Sequence, residues 1–336
     1  MTTMTTPSTS VFAHVPAYPG DPILSLMEAF QQDGRPAKVS LSIGLYFDEQ
    51  GRLPVLDCVR QAAQVLAQDI GPCGYLPMEG IAPYRQLVQN LVFGAGHEAV
   101  RSQRIATIQS LGGSGALKVG ADFNKRYFPE AEVWLSDPTW ENHLAIFEGA
   151  GLRTHSYPYY DPASGGLRFD AMLDALRSIP SGSVVLLHAS CHNPTGVDLS
   201  RAQWQQLIPV IVERGLIPFV DMAYQGFGDG LDEDAWSVRA LADAGAQAFV
   251  ANSFSKNFSL YGERVGGLSV VCSDAATAAN VLGQLKATVR RNYSSPPTQG
   301  ARLVQQVLQS PEMSAQWAGE LAGMRGRIKN MRARLH

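Results

Sequence analysis

Four short stretches carry residue types that could do chemistry, and each lies beside an apolar run. In 252–267, NSFSKNFSLYGERVGG, Lys256 follows the buried-strand pattern Ala248-Phe249-Val250-Ala251, with Ser253 and Ser255 beside it and Arg264 downstream. A lone lysine is ordinarily solvent-exposed. One at a strand end among hydroxyls and a guanidinium could be a covalent amine next to a phosphate site. In 218–224, PFVDMAY, Asp221 ends an apolar strand with Tyr224 close behind. Such an acid is either a helix cap or a buried partner for a cation, such as a protonated ring nitrogen. In 191–196, CHNPTG, Asn193 precedes a proline; this is either a plain turn or an amide held rigidly at a strand end to donate a hydrogen bond. In 111–116, LGGSGA, glycines and Ser114 lead into a helix whose free N–H groups could meet a phosphate. Alone, that stretch is a strand-to-helix turn, and it lacks the GxGxxG spacing of a dinucleotide fingerprint.

Elements of one kind must position all four. Strand patterns at 105–108, 133–135, 184–188, 218–221 and 248–254 alternate with helical patterns at 56–68, 116–127, 201–214 and 238–244. This predicts an α/β fold with a mostly parallel sheet flanked by helices, in which ligands sit outside the strand carboxyl ends. A short helix is expected from Asp21-Pro22, with Ile23, Leu24, Leu26, Met27 and Phe30 as its apolar face, after a flexible lead over 1–20. Near the end, Trp317, Leu321, Met324, Ile328, Met331 and Leu335 recur at helical spacing. The intervening Arg325, Arg327, Lys329, Arg332 and Arg334 read as a solvated basic face. His188 and His192 suggest a metal, but four strand residues span roughly 13 Å, too far for one zinc, so no metal is expected.

Composition excludes several classes. The 336 residues are 45% hydrophobic and 17% charged, with a net charge of −3, which gives no basic footprint for nucleic acid. The four cysteines, Cys58, Cys73, Cys191 and Cys272, form no CxxC pair and suit reduced thiols in a cytoplasmic protein. No signal-peptide pattern or membrane-length apolar run is present, so no membrane is expected.

The four stretches converge on one ligand. A phosphate suits the Gly-Ser turn, the serines and Arg264; a ring nitrogen suits Asp221; a ring hydroxyl suits Asn193 and Tyr224; an aldehyde suits Lys256. That ligand is pyridoxal phosphate, for which a lysine Schiff base with an Asp at the pyridinium nitrogen is the recurring arrangement. Trp140, in the strand-following run 136–140, could stack on the ring or be an ordinary core tryptophan.

With these residues in place, the chain resembles the class I aminotransferases of pyridoxal-phosphate fold type I, the aspartate and aromatic aminotransferases. The similarity runs from about residue 12 to the end. It rests on GGSGALKVGADF, SDPTWENH, CHNPTG, DMAYQGFG, NSFSKNFSLYGERVGG and RRNYSSPP, with wording closest to the bacterial aromatic-amino-acid branch. The resemblance implies that Lys256 carries the cofactor and acts as the base, and that Asp221 keeps the ring nitrogen protonated. Asn193 and Tyr224 would bind the ring oxygen, and Gly113, Ser114, Ser253 and Arg264 the phosphate. It implies that Trp140 stacks on the ring, that His143 supports Asp221, and that Gly44 lies near the substrate carboxylate. It also implies a homodimer in which Tyr75 and Arg290 reach the neighbouring subunit's site. Arg290 would pair with a dicarboxylate's distal group and make room for an aromatic side chain.

The implied activity is transamination of aromatic, and also dicarboxylic, L-amino acids with 2-oxoglutarate as acceptor. The runner-up is an aspartate-specific enzyme. A lyase or decarboxylase, and a nicotinamide dehydrogenase, fit less well. The implied domains are a large one over 56–322 and a small, incomplete one from 21–55 and 323–336. In the family the chain continues past the last helix and carries the arginine that grips the α-carboxylate. No residue here matches it, and losing such a clamp costs at least ~3 kcal/mol in the transition state. The expectation from that departure is a chain that binds the cofactor but transaminates poorly, the alternative being an inactive cofactor-binding fragment.

Overall fold

The computed structural model describes residues 10–18, 20, 22–40, 44–68 and 70–335. Nine strands are described: β1 (Ile105–Leu111), β2 (Glu132–Asp137), β3 (Arg153–Pro158), β4 (Tyr160–Asp161), β5 (Gly166–Leu167), β6 (Val184–His188), β7 (Ile217–Met222), β8 (Phe249–Ser253) and β9 (Val265–Val271). Seven form one sheet in the order β1-β9-β8-β7-β6-β2-β3, and β4 and β5 form a separate hairpin. All neighbours from β8 to β3 pair parallel, whereas β9 runs antiparallel to both β8 and β1. Since β1 and β8 both oppose β9, the carboxyl ends of β1, β8, β7, β6 and β2 share one edge of the sheet.

Both faces of the sheet are buried, as a mostly parallel sheet requires. Along β6, Val184 and Leu186 join one apolar cluster while Val185 and Leu187 join the other. The first cluster includes the Gly112–Tyr127 helix through Ala116, Leu117 and Val119. The second includes Trp317, Leu321 and Met324 of the Pro311–Leu335 helix.

The predicted strands all form. The pattern missed β9, whose apolar run is broken by Gly266, Gly267 and Ser269, the edge strand β3 and the two-residue strands β4 and β5. The helix expected over 238–244 begins earlier, at Leu231, because its first turn carries Asp232, Glu233 and Asp234 rather than apolar residues. The early helix forms as Pro22–Gln32, but Leu26 is 53% exposed and covers no core. The side chains of Ile23 and Leu24, and residues 1–9 and 19 of the lead, lie outside what the structure describes. Residues 10–15 of the lead make turns, with Ala13 N–H on Ser10 O and Val15 N–H on Phe12 O.

The basic face of the last helix is not simply solvated. Arg325 Nη1 donates to Gly226 O at 2.9 Å, Arg327 Nη2 to Asp48 O at 3.3 Å, and Arg332 Nη2 to Gly196 O at 3.4 Å. Lys329 pairs with Asp229 at 2.7 Å. Helical spacing shows which residues share a face but not which loops that face meets.

Candidate active site

The predicted residues gather along the shared strand edge. At one end, β1 stops at Leu111 opposite Val265, so Arg264 enters beside Gly112. Gly112 has φ +66°, and a Cβ there would fall 2.7 Å from Arg264 Nη2. A Cβ on Gly113 would fall 3.3 Å from Ser253 Cβ. Arg264 is itself left-handed at φ +53°, and its Nη1 donates to Ser255 Oγ at 3.2 Å and to Tyr261 O at 2.9 Å. No side chain caps the Gly112–Tyr127 helix. The first turn of this helix, which also carries Ser114, thus lies against Ser253 and the Arg264 guanidinium, and uncapped N–H groups beside a guanidinium have the chemistry of an anion site.

Mid-edge, Asp221 is buried on β7, one residue before the strand ends. Its Oδ2 accepts from His143 Nε2 at 3.0 Å, and His143 Nδ1 lies 2.8 Å from the Thr139 hydroxyl. Burial works against the carboxylate. The hydrogen bond from His143 and the charges of His143, His188 and Lys256 outweigh it and hold Asp221 below the usual carboxylate range. Its other oxygen, Oδ1, is buried without a partner. An unpaired carboxylate oxygen here marks the place of a missing cation or donor.

Lys256 follows β8, and its Nζ lies 4.9 Å from the centre of the Tyr224 ring. Burial lowers the affinity of this amine for a proton; Asp221 opposes the shift and Arg264 adds to it. The amine is therefore free more often than an ordinary lysine. Burial, with the nearby Asp221 charge, pushes the Tyr224 phenol up to about 12, so it stays a donor. A Cβ on Gly44 would fall 3.3 Å from the Tyr224 hydroxyl, which places Gly44 on the same site. Asn193, before a cis proline, lines with Gly44, Tyr224, Lys256, Tyr261 and Arg327 a cavity of about 1040 Å³. Trp140 is half-buried after β2, its ring 5.1 Å from that of His143.

Two predicted residues are not brought to this cluster. Tyr75 is 98% exposed, and Arg290 is exposed in the last turn of the Ala275–Asn292 helix, bonded to Ser294.

The spacing argument about the histidines needs correction. The chain turns sharply after β6, with Cys191 at φ +52°, so the His188 and His192 rings lie 4.3 Å apart rather than a strand-length away. His188, His143 and Asp221 place ligand-type atoms within 4.8 Å of one another. Burial, with the neighbouring imidazoles, pushes His188 down to about 4 and His192 down to about 2. His192 is fixed by Ser136 Oγ at 2.9 Å and Thr195 Oγ1 at 2.8 Å, under a stacked Tyr159 ring. Sequence reasoning also missed Thr139 and Tyr261. Only contacts made in the folded chain, with His143 and with the Tyr46 N–H, single them out.

A family model for "Aminotransferase class I and II" matches residues 36–336. The chain belongs to this family. Among the relatives of this aminotransferase, the aromatic-amino-acid aminotransferase of Escherichia coli (strain K12) is 59% identical over 97% of the chain and 82% of its own length. An aspartate aminotransferase of Pseudomonas aeruginosa is 51% identical over 96% of the chain and 81% of its own length. A solved aromatic amino acid aminotransferase from Burkholderia cenocepacia J2315 superposes with a TM-score of 0.94 at 64% identity, covering 96% of this chain and 81% of that one. One from Burkholderia pseudomallei, covalently bound to pyridoxal phosphate, gives 0.95 at 50% identity, covering 97% and 82%.

Proposed function

We propose that this aminotransferase transfers amino groups from aromatic L-amino acids, using pyridoxal phosphate. The observation that carries the reading is the buried, unpartnered Oδ1 of Asp221, on the same sheet edge as Lys256 and the close approach of Arg264 to Gly112. A carboxylate for a ring nitrogen, an amine for an aldehyde and an anion cradle fit that cofactor's three ends. Bound there, pyridoxal phosphate supplies an aldehyde for the amino group and an electron-withdrawing ring that eases loss of the α-proton.

The chain's own residues do the rest. Asp221, kept ionised by His143, holds a proton on the ring nitrogen. Tyr224 and Asn193 donate to the ring oxygen. Gly113, Ser114, Ser253 and Arg264 hold the phosphate, and Trp140 covers one ring face. Lys256 Nζ would hold the cofactor's aldehyde end and, as a free amine beside the substrate, would accept and return the α-proton. Gly44 leaves room for the substrate carboxylate beside Tyr224. 2-Oxoglutarate is the acceptor, and aspartate is a second donor, in keeping with the aspartate aminotransferase among the relatives. The alternative of an inactive cofactor-binding fragment is not favoured, given 59% identity over 97% of the chain to a relative named as an aromatic-amino-acid aminotransferase.

The same reading assigns residues 56–322 to a large domain, and 21–55 with 323–336 to a small one. It takes the working unit as a homodimer in the cytoplasm, with Tyr75 and Arg290 each completing the partner's site. Both are exposed in the single chain, as such a role requires. No described helix is long and apolar enough to cross a membrane. The test is keto-acid formation from phenylalanine and from aspartate with 2-oxoglutarate. Faster turnover of phenylalanine supports the aromatic assignment, and turnover of aspartate alone replaces it with the runner-up. Release of ammonia or carbon dioxide without a keto acid overturns transamination.

A further inference from the structure

The regular apolar spacing of the last helix does more than close the core. Trp317, Leu321 and Arg325 lie four residues apart on one stripe of the Pro311–Leu335 helix, and each meets a turn that carries a predicted catalytic residue. Trp317, 1% exposed, donates from Nε1 to the carbonyl of Asn257 at 2.8 Å, and its ring stacks on Phe258 at 4.5 Å. Asn257 and Phe258 directly follow Lys256. Leu321, also 1% exposed, fills the space at Gly226, where a Cβ would come within 2.3 Å of it. Arg325 Nη1 donates to the Gly226 carbonyl at 2.9 Å, while the Gly226 N–H donates to the buried Asp234 at 2.8 Å. Gly226 lies two residues after Tyr224. The two turns are also tied directly, by Asn257 Nδ2 on Gln225 O at 3.2 Å.

We infer that the Trp317–Leu321–Arg325 stripe is a brace that fixes the Lys256 amine relative to the Tyr224 phenol, with Arg325 as a positioning residue for Tyr224. Three points along one rigid helix set two turns that no shared strand registers this far past the sheet. Arg325 is the adjustable end, because it is half-buried and acts on a backbone carbonyl, which a neutral side chain of similar length cannot reach as a charged donor.

The inference rests on the reading that Tyr224 donates to the ring oxygen of bound pyridoxal phosphate. A donor there favours the ionised form of the chromophore, so losing or misaiming it raises the pH midpoint of the visible band. The experiment is a pH titration of that band in the cofactor-loaded wild type, Tyr224→Phe, Arg325→Met, Arg325→Lys and the Tyr224→Phe/Arg325→Met double variant. Tyr224→Phe is expected to raise the midpoint by about one pH unit. Arg325→Met is expected to give a clear part of that shift and Arg325→Lys a smaller part, while the double variant matches Tyr224→Phe alone. If Arg325→Met holds no cofactor, Arg325→Lys carries the comparison. A shift in Tyr224→Phe with none in the Arg325 variants, or additive shifts in the double variant, overturns the brace and leaves the Tyr224 assignment standing. No shift in Tyr224→Phe overturns the Tyr224 assignment and the inference with it.

Discussion

Lys256 and Asp221 lie close enough to influence one another, and each is set by burial against charge. Burial makes the Lys256 amine a better nucleophile near neutral pH. Covalent attachment of added pyridoxal phosphate should therefore quicken with rising pH and level off below the 10.5 of an ordinary lysine, which stopped-flow absorbance can follow. An attachment rate still climbing past that point would contradict the lowered affinity. Asp221→Asn keeps the shape but leaves no charge to hold a proton on the ring nitrogen. It should cost about 10³-fold or more in kcat, roughly 4 kcal/mol, with the band still present. The neighbouring imidazoles make a prediction about stability. His188 and His192 have folded-state proton affinities well below those of the unfolded chain. As pH falls below about 6.5 the unfolded chain takes up protons that the folded chain refuses. Stability is thus fully present above that pH and is lost as pH falls toward the His188 value of about 4. Urea titrations at pH 7 and pH 5 should show it, and His192→Gln should flatten the dependence.

Elements convert these residues into a site. The turn after β1 brings Gly112 against Arg264, and a left-handed φ there excludes most side chains. Gly112→Ala should therefore lower stability by roughly 1–2 kcal/mol and weaken cofactor binding, because the guanidinium must move. Equilibrium dialysis of the cofactor and a urea titration would separate the two effects. Unchanged affinity would remove Arg264 from the phosphate site. Leu321→Ala in the last helix opens a cavity beside Gly226, at a cost of about 3 kcal/mol by analogy with other buried leucines.

At the scale of the molecule, Tyr75 and Arg290 are exposed in a single chain and stand apart from the cluster around Lys256. If each serves a partner, two crippled chains can repair one another. Lys256→Ala lacks the amine and Arg290→Ala the distal clamp, so each alone should be poor on aspartate. Mixed and re-equilibrated, hybrids should restore aspartate turnover at roughly a quarter of all sites, since half the dimers are hybrid and each has one intact site. No recovery on mixing would mean that Arg290 acts within its own chain or not at all. Arg290→Ala alone should depress aspartate turnover far more than phenylalanine turnover.

Much of this was legible in the amino-acid order. Strand-length apolar runs followed by Lys256, Asp221, Asn193 and Gly112-Gly113-Ser114 indicated a parallel sheet with its chemistry at one edge. The reason is local: backbone period, turn chemistry and the cost of burying an acid are all written within a few residues. The antiparallel β9 was not legible, because Gly266, Gly267 and Ser269 break the apolar run that revealed the other buried strands. Nor were the edge-on contact of His188 with His192, the contact between Gly112 and Arg264, or the bonds from Trp317 and Arg325 to the turns after Lys256 and Tyr224. Those depend on where segments remote in sequence meet, and sequence spacing says nothing of a distance set by a left-handed turn at Cys191 or by a helix crossing the strand ends. The sequence by itself determined which groups could react, and the tertiary structure alone decided which of them are held within reach of one another.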